Sequence, residues 1–123
     1  LRTASGKSML AYQPDEVVAK LAEEGLIVKD DLAQFRKELG EIRERGFALS
    51  FSGSRPGVNS VAAPIWGAEP VPVAALSVSG PAERFSIERL NGISSSVMNA
   101  STRISESLGV SSPTHGNFAF ASA

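Results

Sequence analysis

The stretch Val58-Asn59-Ser60-Val61-Ala62-Ala63-Pro64-Ile65-Trp66, followed by the turn Gly67-Ala68-Glu69-Pro70 and then by Val71-Pro72-Val73-Ala74-Ala75-Leu76-Ser77-Val78-Ser79, decides the fold. Both runs are apolar, rich in valine and alanine, and bounded by glycine and proline, as two strands joined by a short turn would be. Pro72 stands near the start of its run, where a missing amide donor is tolerated. Upstream, Phe47-Ala48-Leu49-Ser50-Phe51 reads as a further strand and Ser52-Gly53-Ser54-Arg55-Pro56-Gly57 as the loop that follows it. Three strands in succession with short connections predict an antiparallel meander.

On either side of the meander the period is helical. Thr3 to about Tyr12 is a short helix with a hydroxyl cap and Met9, Leu10 and Tyr12 to bury, interrupted at Gln13-Pro14. Pro14 suits the first turn of a second helix, with Asp15 and Glu16 at the positive end of its dipole and Gly25 at its end. A third is capped by Asp30 or Asp31, repeats Leu32, Phe35, Leu39 and Ile42 at steps of three and four, and stops at Gly46. Beyond Gly80-Pro81 a long last helix has Ser86 as its cap. Its apolar face is read as Ile87, Leu90, Ile93, Val97, Ile104 and Leu108, its other face as serine-rich, and its end as Gly109.

Helices, then strands, then one helix is an α+β order, with helices flanking an antiparallel sheet. Residues 1–109 are taken as one domain and residues 110–123, which show no clear period, as a tail. A sheet of three strands leaves edges that need a partner or a cover. The strands expected beside it come from sequence preceding Leu1 or from a second subunit, and the chain, opening on leucine, reads as a fragment.

Composition narrows the function. With 12 basic and 13 acidic residues the net charge is −1, so there is no surplus of positive charge to release counterions from a nucleic acid. Cysteine is absent, which removes disulfides, thiolate nucleophiles and zinc-thiolate sites and is compatible with a reducing cytoplasm, and the lone His115 cannot build a multi-histidine metal site. No stretch approaches the roughly 20 apolar residues of a membrane span, and the first seven residues lack the apolar core of a signal peptide. No metal and no cofactor is implied.

Ser5-Gly6-Lys7-Ser8 ends like a phosphate-binding loop, but the pattern requires a glycine where this chain has Leu1, so the segment is a capped helix start. The acidic residues sit at helix starts or on polar faces among Lys20, Lys37, Arg43 and Arg45, and read as solvated surface. No carboxylate interrupts the apolar strands, and no nucleophile and base are paired, so the chain is not read as an enzyme.

The hydroxyls within the strands are the informative polar groups. Side chains alternate along a strand, so Ser77 and Ser79 share a face with Val73 and Ala75, and Ser60 shares one with Ala62. If the two faces coincide, Ser60, Ser77 and Ser79 with the small Ala62 and Ala75 line a shallow hollow fit for a small polar ligand. The alternative is a polar sheet face turned to water.

Five segments in this order resemble a known family. They are Thr3-Ala4-Ser5-Gly6-Lys7-Ser8-Met9-Leu10-Ala11, Glu41-Ile42-Arg43-Glu44-Arg45-Gly46-Phe47-Ala48, Pro56-Gly57-Val58, Val61-Ala62-Ala63-Pro64-Ile65, and Val73-Ala74-Ala75-Leu76-Ser77-Val78-Ser79-Gly80-Pro81. Together they resemble the effector-binding domain of IclR-family transcription regulators. The resemblance implies a sensor of the GAF/PAS-like kind, lacking here its N-terminal strands, joined in the whole protein to a winged helix-turn-helix that binds operator DNA as a dimer or tetramer. It also implies a small organic acid or aromatic metabolite as effector, met by Ser60, Ser77 and Ser79. Many members carry a glutamate in the loop before Pro-Gly, where this chain has Gly53. The rival expectation is a dimerisation domain that holds no ligand.

Overall fold

The structure, a computed structural model, describes residues 2–52 and 56–109. Its elements run α1 (Ala4–Leu10), α2 (Asp15–Glu23), α3 (Leu32–Arg45), β1 (Ala48–Phe51), β2 (Val58–Trp66), β3 (Pro72–Pro81) and α4 (Ile87–Ser107). The strands form one antiparallel sheet in the order β1-β2-β3, so the fold is the α+β meander that the strand pattern implied.

Local chemistry sets the helix ends. Thr3 Oγ1 accepts a hydrogen bond from the Gly6 amide at 2.9 Å, which makes Ser5-Gly6-Lys7 the first turn of a capped helix. Ser86 does the same for the Arg89 amide at the start of α4, at 3.2 Å. Gly46 closes α3 at φ +89°, a conformation that costs glycine nothing and most other residues considerably more. Two expectations need correction here. Pro14 occupies the N-cap of α2 and not its first turn. Neither aspartate caps α3 through its side chain, because a short 3₁₀ turn at Lys29–Asp31 leads into the helix and leaves Asp31 at its N-cap in a helical conformation.

The sheet separates two cores. On one face Ala48 and Ala62 pack with Ala4, Leu10 and Ala11 of the α1 segment and with Val18, Leu39 and Ile42 from α2 and α3. Alanine on both sides lets α1 approach the sheet closely. On the other face Val61 and Ala63, with Leu49, Leu76 and Val78, pack against Leu90, Val97, Ile93 and Met98 of α4.

That second interface corrects the expected face of α4. Leu90 and Val97 are buried as expected, but the residues buried beside them are Ser94, Ser101, Thr102 and Ser105, while Ile87 and Leu108 are each 54% exposed and Ile104 is 38% exposed. Ser94, Ser101 and Ser105 donate their hydroxyls to the carbonyls of Asn91, Met98 and Ser101 at 2.7, 2.9 and 2.8 Å. Satisfied within the helix, they cost little to bury, and their small size brings α4 close to the strands.

Two cationic side chains are drawn into the fold at the edge of the sheet. Lys7 is buried, donating from Nζ to Glu38 at 2.7 Å and to the Leu49 carbonyl at 2.6 Å. Arg45 Nε donates to the Phe47 carbonyl at 2.7 Å. Two cationic side chains thus take up carbonyls along the free edge of β1, a device that keeps an edge from pairing with another chain. Among the described residues, no helix is long and apolar enough to cross a membrane.

Candidate ligand site

The register answers whether the two serine-bearing faces coincide. Ser60 lies directly opposite Ser79, Ala62 opposite Ser77, and Pro64 opposite Ala75. On the far side of β2, Ser50 pairs with Ser60 and Ala48 with Ala62. Paired residues in an antiparallel sheet project to the same face with Cβ atoms about 4.5–5.5 Å apart. Ser60, Ala62, Ala75, Ser77 and Ser79 therefore share the face that α1 packs on, and a line of hydroxyls crosses all three strands at Ser50, Ser60 and Ser79.

Burial grades along that line. Ser50 is buried, Ser60 half-buried, and Ser77 and Ser79 exposed. Ala75 is half-buried, whereas Ala62 is sealed beneath the α1 segment and presents no surface. The expectation that small alanines leave space for a ligand holds only toward β3, because at Ala48 and Ala62 the space is taken by α1.

The hydroxyls differ in what they touch. Ser50 Oγ donates to the Arg2 carbonyl at 3.1 Å and ties the start of the chain to β1. Ser60, Ser77 and Ser79 make no side-chain hydrogen bond to any described residue. In this they are unlike the buried serines of α1 and α4, whose hydroxyls all donate to carbonyls. Ser50 is the member of the line that sequence reasoning missed. Alternation along Phe47–Phe51 could have supplied it, had the register between β1 and β2 been known.

The electrostatics of this face are neutral. Lys7, the buried lysine among the described residues, is committed to Glu38 and to the Leu49 carbonyl at the β1 edge of the sheet. Among the described residues no three His, Cys, Asp or Glu side chains gather as a metal site. Gly53, His115 and the tail at 110–123 lie outside the described residues. On this face Ser60, Ser77 and Ser79 present neutral hydroxyl donors and acceptors.

A three-stranded meander with small helices on one face and one long helix on the other superposes on the C-terminal domain of a bacterial transcription regulator. The chain belongs to that class by sequence as well: residues 1–106 match the model for the bacterial transcriptional regulator IclR C-terminal family, and it is a member of it. It is 35% identical, over 106 residues taking in 81% of this chain and 38% of the relative, to the HTH-type transcriptional regulator BhcR of Paracoccus denitrificans. An IclR transcriptional regulator of Silicibacter sp. TM1040 superposes with a TM-score of 0.82 at 29% identity, covering 93% of this chain and 47% of the other. The C-terminal domain of E. coli KdgR gives a TM-score of 0.75 at 28% identity, covering 89% of this chain and 70% of that domain. The chain thus spans less than half the length of BhcR and of the Silicibacter regulator. Its relatives are transcriptional regulators.

Proposed function

We propose that residues 1–109 form the effector-sensing domain of a transcription regulator, in which a small polar metabolite binds against Ser60, Ser77 and Ser79 with Ala75 beside them, at the β3 side of the sheet that α1 leaves open. The observation that carries this reading is the set of three hydroxyls in register on one face with no protein partner among the described residues. Neutral hydrogen bonds contribute about 0.5–1.5 kcal/mol each, so three of them with a patch of apolar contact support micromolar or weaker binding of a small organic acid or aromatic acid. In the whole protein, binding shifts the arrangement of subunits in a homodimer or homotetramer, and with it operator binding by a winged helix-turn-helix carried elsewhere in the sequence. Coupling of about 1–3 kcal/mol is typical of such linkage.

The test is a thermal-shift screen of small carboxylates and aromatic acids on the chain and on the Ser77→Ala/Ser79→Ala variant. An acid that raises the melting temperature of the first and not of the second supports the site. Equal stabilisation of both moves the ligand elsewhere. A dimer that responds to no acid makes the domain a purely oligomerising one.

A further inference from the structure

One polar side chain beside the serine line is used by neither the core nor the proposed site. Asn59 is 8% exposed and sits on the α4 face of β2, directly opposite Gly80, so it is the chain neighbour of Ser60 as Gly80 is of Ser79. Its Nδ2 donates to the Phe85 carbonyl at 2.8 Å, and its Oδ1 accepts from the Ser52 amide at 3.2 Å. One amide therefore joins the end of β1 to the segment that begins α4.

Three further contacts tighten the same corner. The Ala82 amide donates to the Gly57 carbonyl at 2.7 Å, so the hairpin turn is joined to the end of β3. The Phe85 amide donates to the Pro81 carbonyl at 3.0 Å, folding the β3–α4 connection back on itself. The Phe85 ring lies over Gly80, where an added Cβ would come within 2.0 Å of the ring. Ser86, the next residue, is the N-cap of α4. Ser60 and Ser79 are thus each one residue from a group that grips Phe85, by its carbonyl through Asn59 or by its ring through Gly80.

We infer that Asn59 is a positioning residue that couples the serine-bearing strand pair to the first turn of α4, with Phe85 as the transmitting side chain. A change in spacing between β2 and β3 at Ser60 and Ser79 moves Asn59 and Gly80 with it, since backbone neighbours within a paired ladder cannot move apart. Phe85 is held at both its carbonyl and its ring and must follow, and the cap of α4 follows Phe85. What sets the latch in motion rests on the reading that a ligand occupies the serine line; the latch itself does not.

Amide hydrogen exchange of the ligand-free chain tests it, with Asn59→Asp and Gly80→Ala as the two perturbations. The aspartate keeps an acceptor for the Ser52 amide but presents a carboxylate to the Phe85 carbonyl, and the alanine displaces the ring. Each variant is expected to speed exchange of the Arg89 and Leu90 amides by about five- to tenfold, the equivalent of one lost hydrogen bond. The Val61 and Val97 amides, deep in the core, are expected to keep their wild-type rates. Asn59→Ala, which removes both side-chain bonds, is expected to speed exchange at Arg89 and Leu90 in the same way, while the Ser52 amide keeps its 2.9 Å bond to the Val58 carbonyl. Unchanged exchange at Arg89 and Leu90 in either variant, or a uniform rise that includes Val61 and Val97, overturns the coupling. Because no ligand is present, the ligand reading survives a failure here, and a failed ligand screen leaves this result standing.

Discussion

The Trp66 backbone amide donates to Ser105 Oγ at 2.9 Å, and Ser105 passes its own proton to the Ser101 carbonyl at 2.8 Å. A side chain of α4 thereby completes the end of β2, at the point where the ladder with β3 slips out of register between Ile65 and Trp66. Both residues are fully buried. Ser105→Ala leaves the Trp66 amide without its acceptor in a dry site and is expected to cost about 1–3 kcal/mol. Urea unfolding checks the value, and a loss below about 0.5 kcal/mol would mean that another acceptor, or water, reaches the amide.

Lys7 holds the free edge of β1 through the Leu49 carbonyl and is itself held by Glu38. Lys7→Met preserves the buried stem but leaves the carbonyl and carboxylate without their donor, an expected loss of about 1–3 kcal/mol. Glu38→Gln keeps an acceptor on a side chain that is 35% exposed and is expected to cost less. The edge opened by Lys7→Met also gives the variant a surface for strand pairing. Sedimentation at rising concentration is expected to show association in Lys7→Met beyond that of the unmodified chain, and none added by Glu38→Gln.

Much of this architecture could be read from residues alone because strand and helix periods differ. Val58–Trp66 is a strand with the ends its valines and turn residues implied, and Gly46, Thr3 and Ser86 mark helix ends by backbone and capping chemistry that is local in sequence. The shared face of Ser60, Ser77 and Ser79 was half legible: alternation groups residues within a strand, but only the register, a non-local property, places Ser60 opposite Ser79. The role of Lys7 was not legible, since a lysine buried by a partner 31 residues away looks the same in sequence as one in water. Asn59 was passed over for a similar reason, its two partners lying 7 and 26 residues distant.

The face of α4 was misread because hydrophobicity was taken as the measure of burial. Serines that bond to their own helix bury at little cost, and isoleucine and leucine at a helix end can stay in water. Leu90→Ala, at a fully buried position, is expected to destabilise the chain by about 2–5 kcal/mol. Ile87→Gln and Leu108→Gln, at positions each 54% exposed, are expected to change stability by less than about 0.5 kcal/mol. Chemical unfolding of the three variants decides it: a loss at Ile87 or Leu108 comparable with that at Leu90 would restore the apolar stripe as the packed face.

Tyr12 packs edge-on against Trp66, ring centroids 4.8 Å apart at 76°, where α1 ends beside the close of β2. Burial pushes its hydroxyl well above the ordinary value of 10.0, and the nearby Arg43 guanidinium only partly opposes this. A raised value in the folded state means that the native chain keeps its proton where the unfolded chain has lost it. The stabilisation is therefore complete below about pH 10 and declines as the pH rises through and beyond that point, by about 1.4 kcal/mol per pH unit for one proton. Alkali acts on the whole chain, so the contribution of Tyr12 is isolated by difference. The stability advantage of the unmodified chain over Tyr12→Phe is expected to shrink by about 1.4 kcal/mol between about pH 9 and pH 11, measured by urea unfolding at each pH. Parallel curves for the two proteins over that range would show that Tyr12 ionises as readily in the folded chain as in the unfolded one.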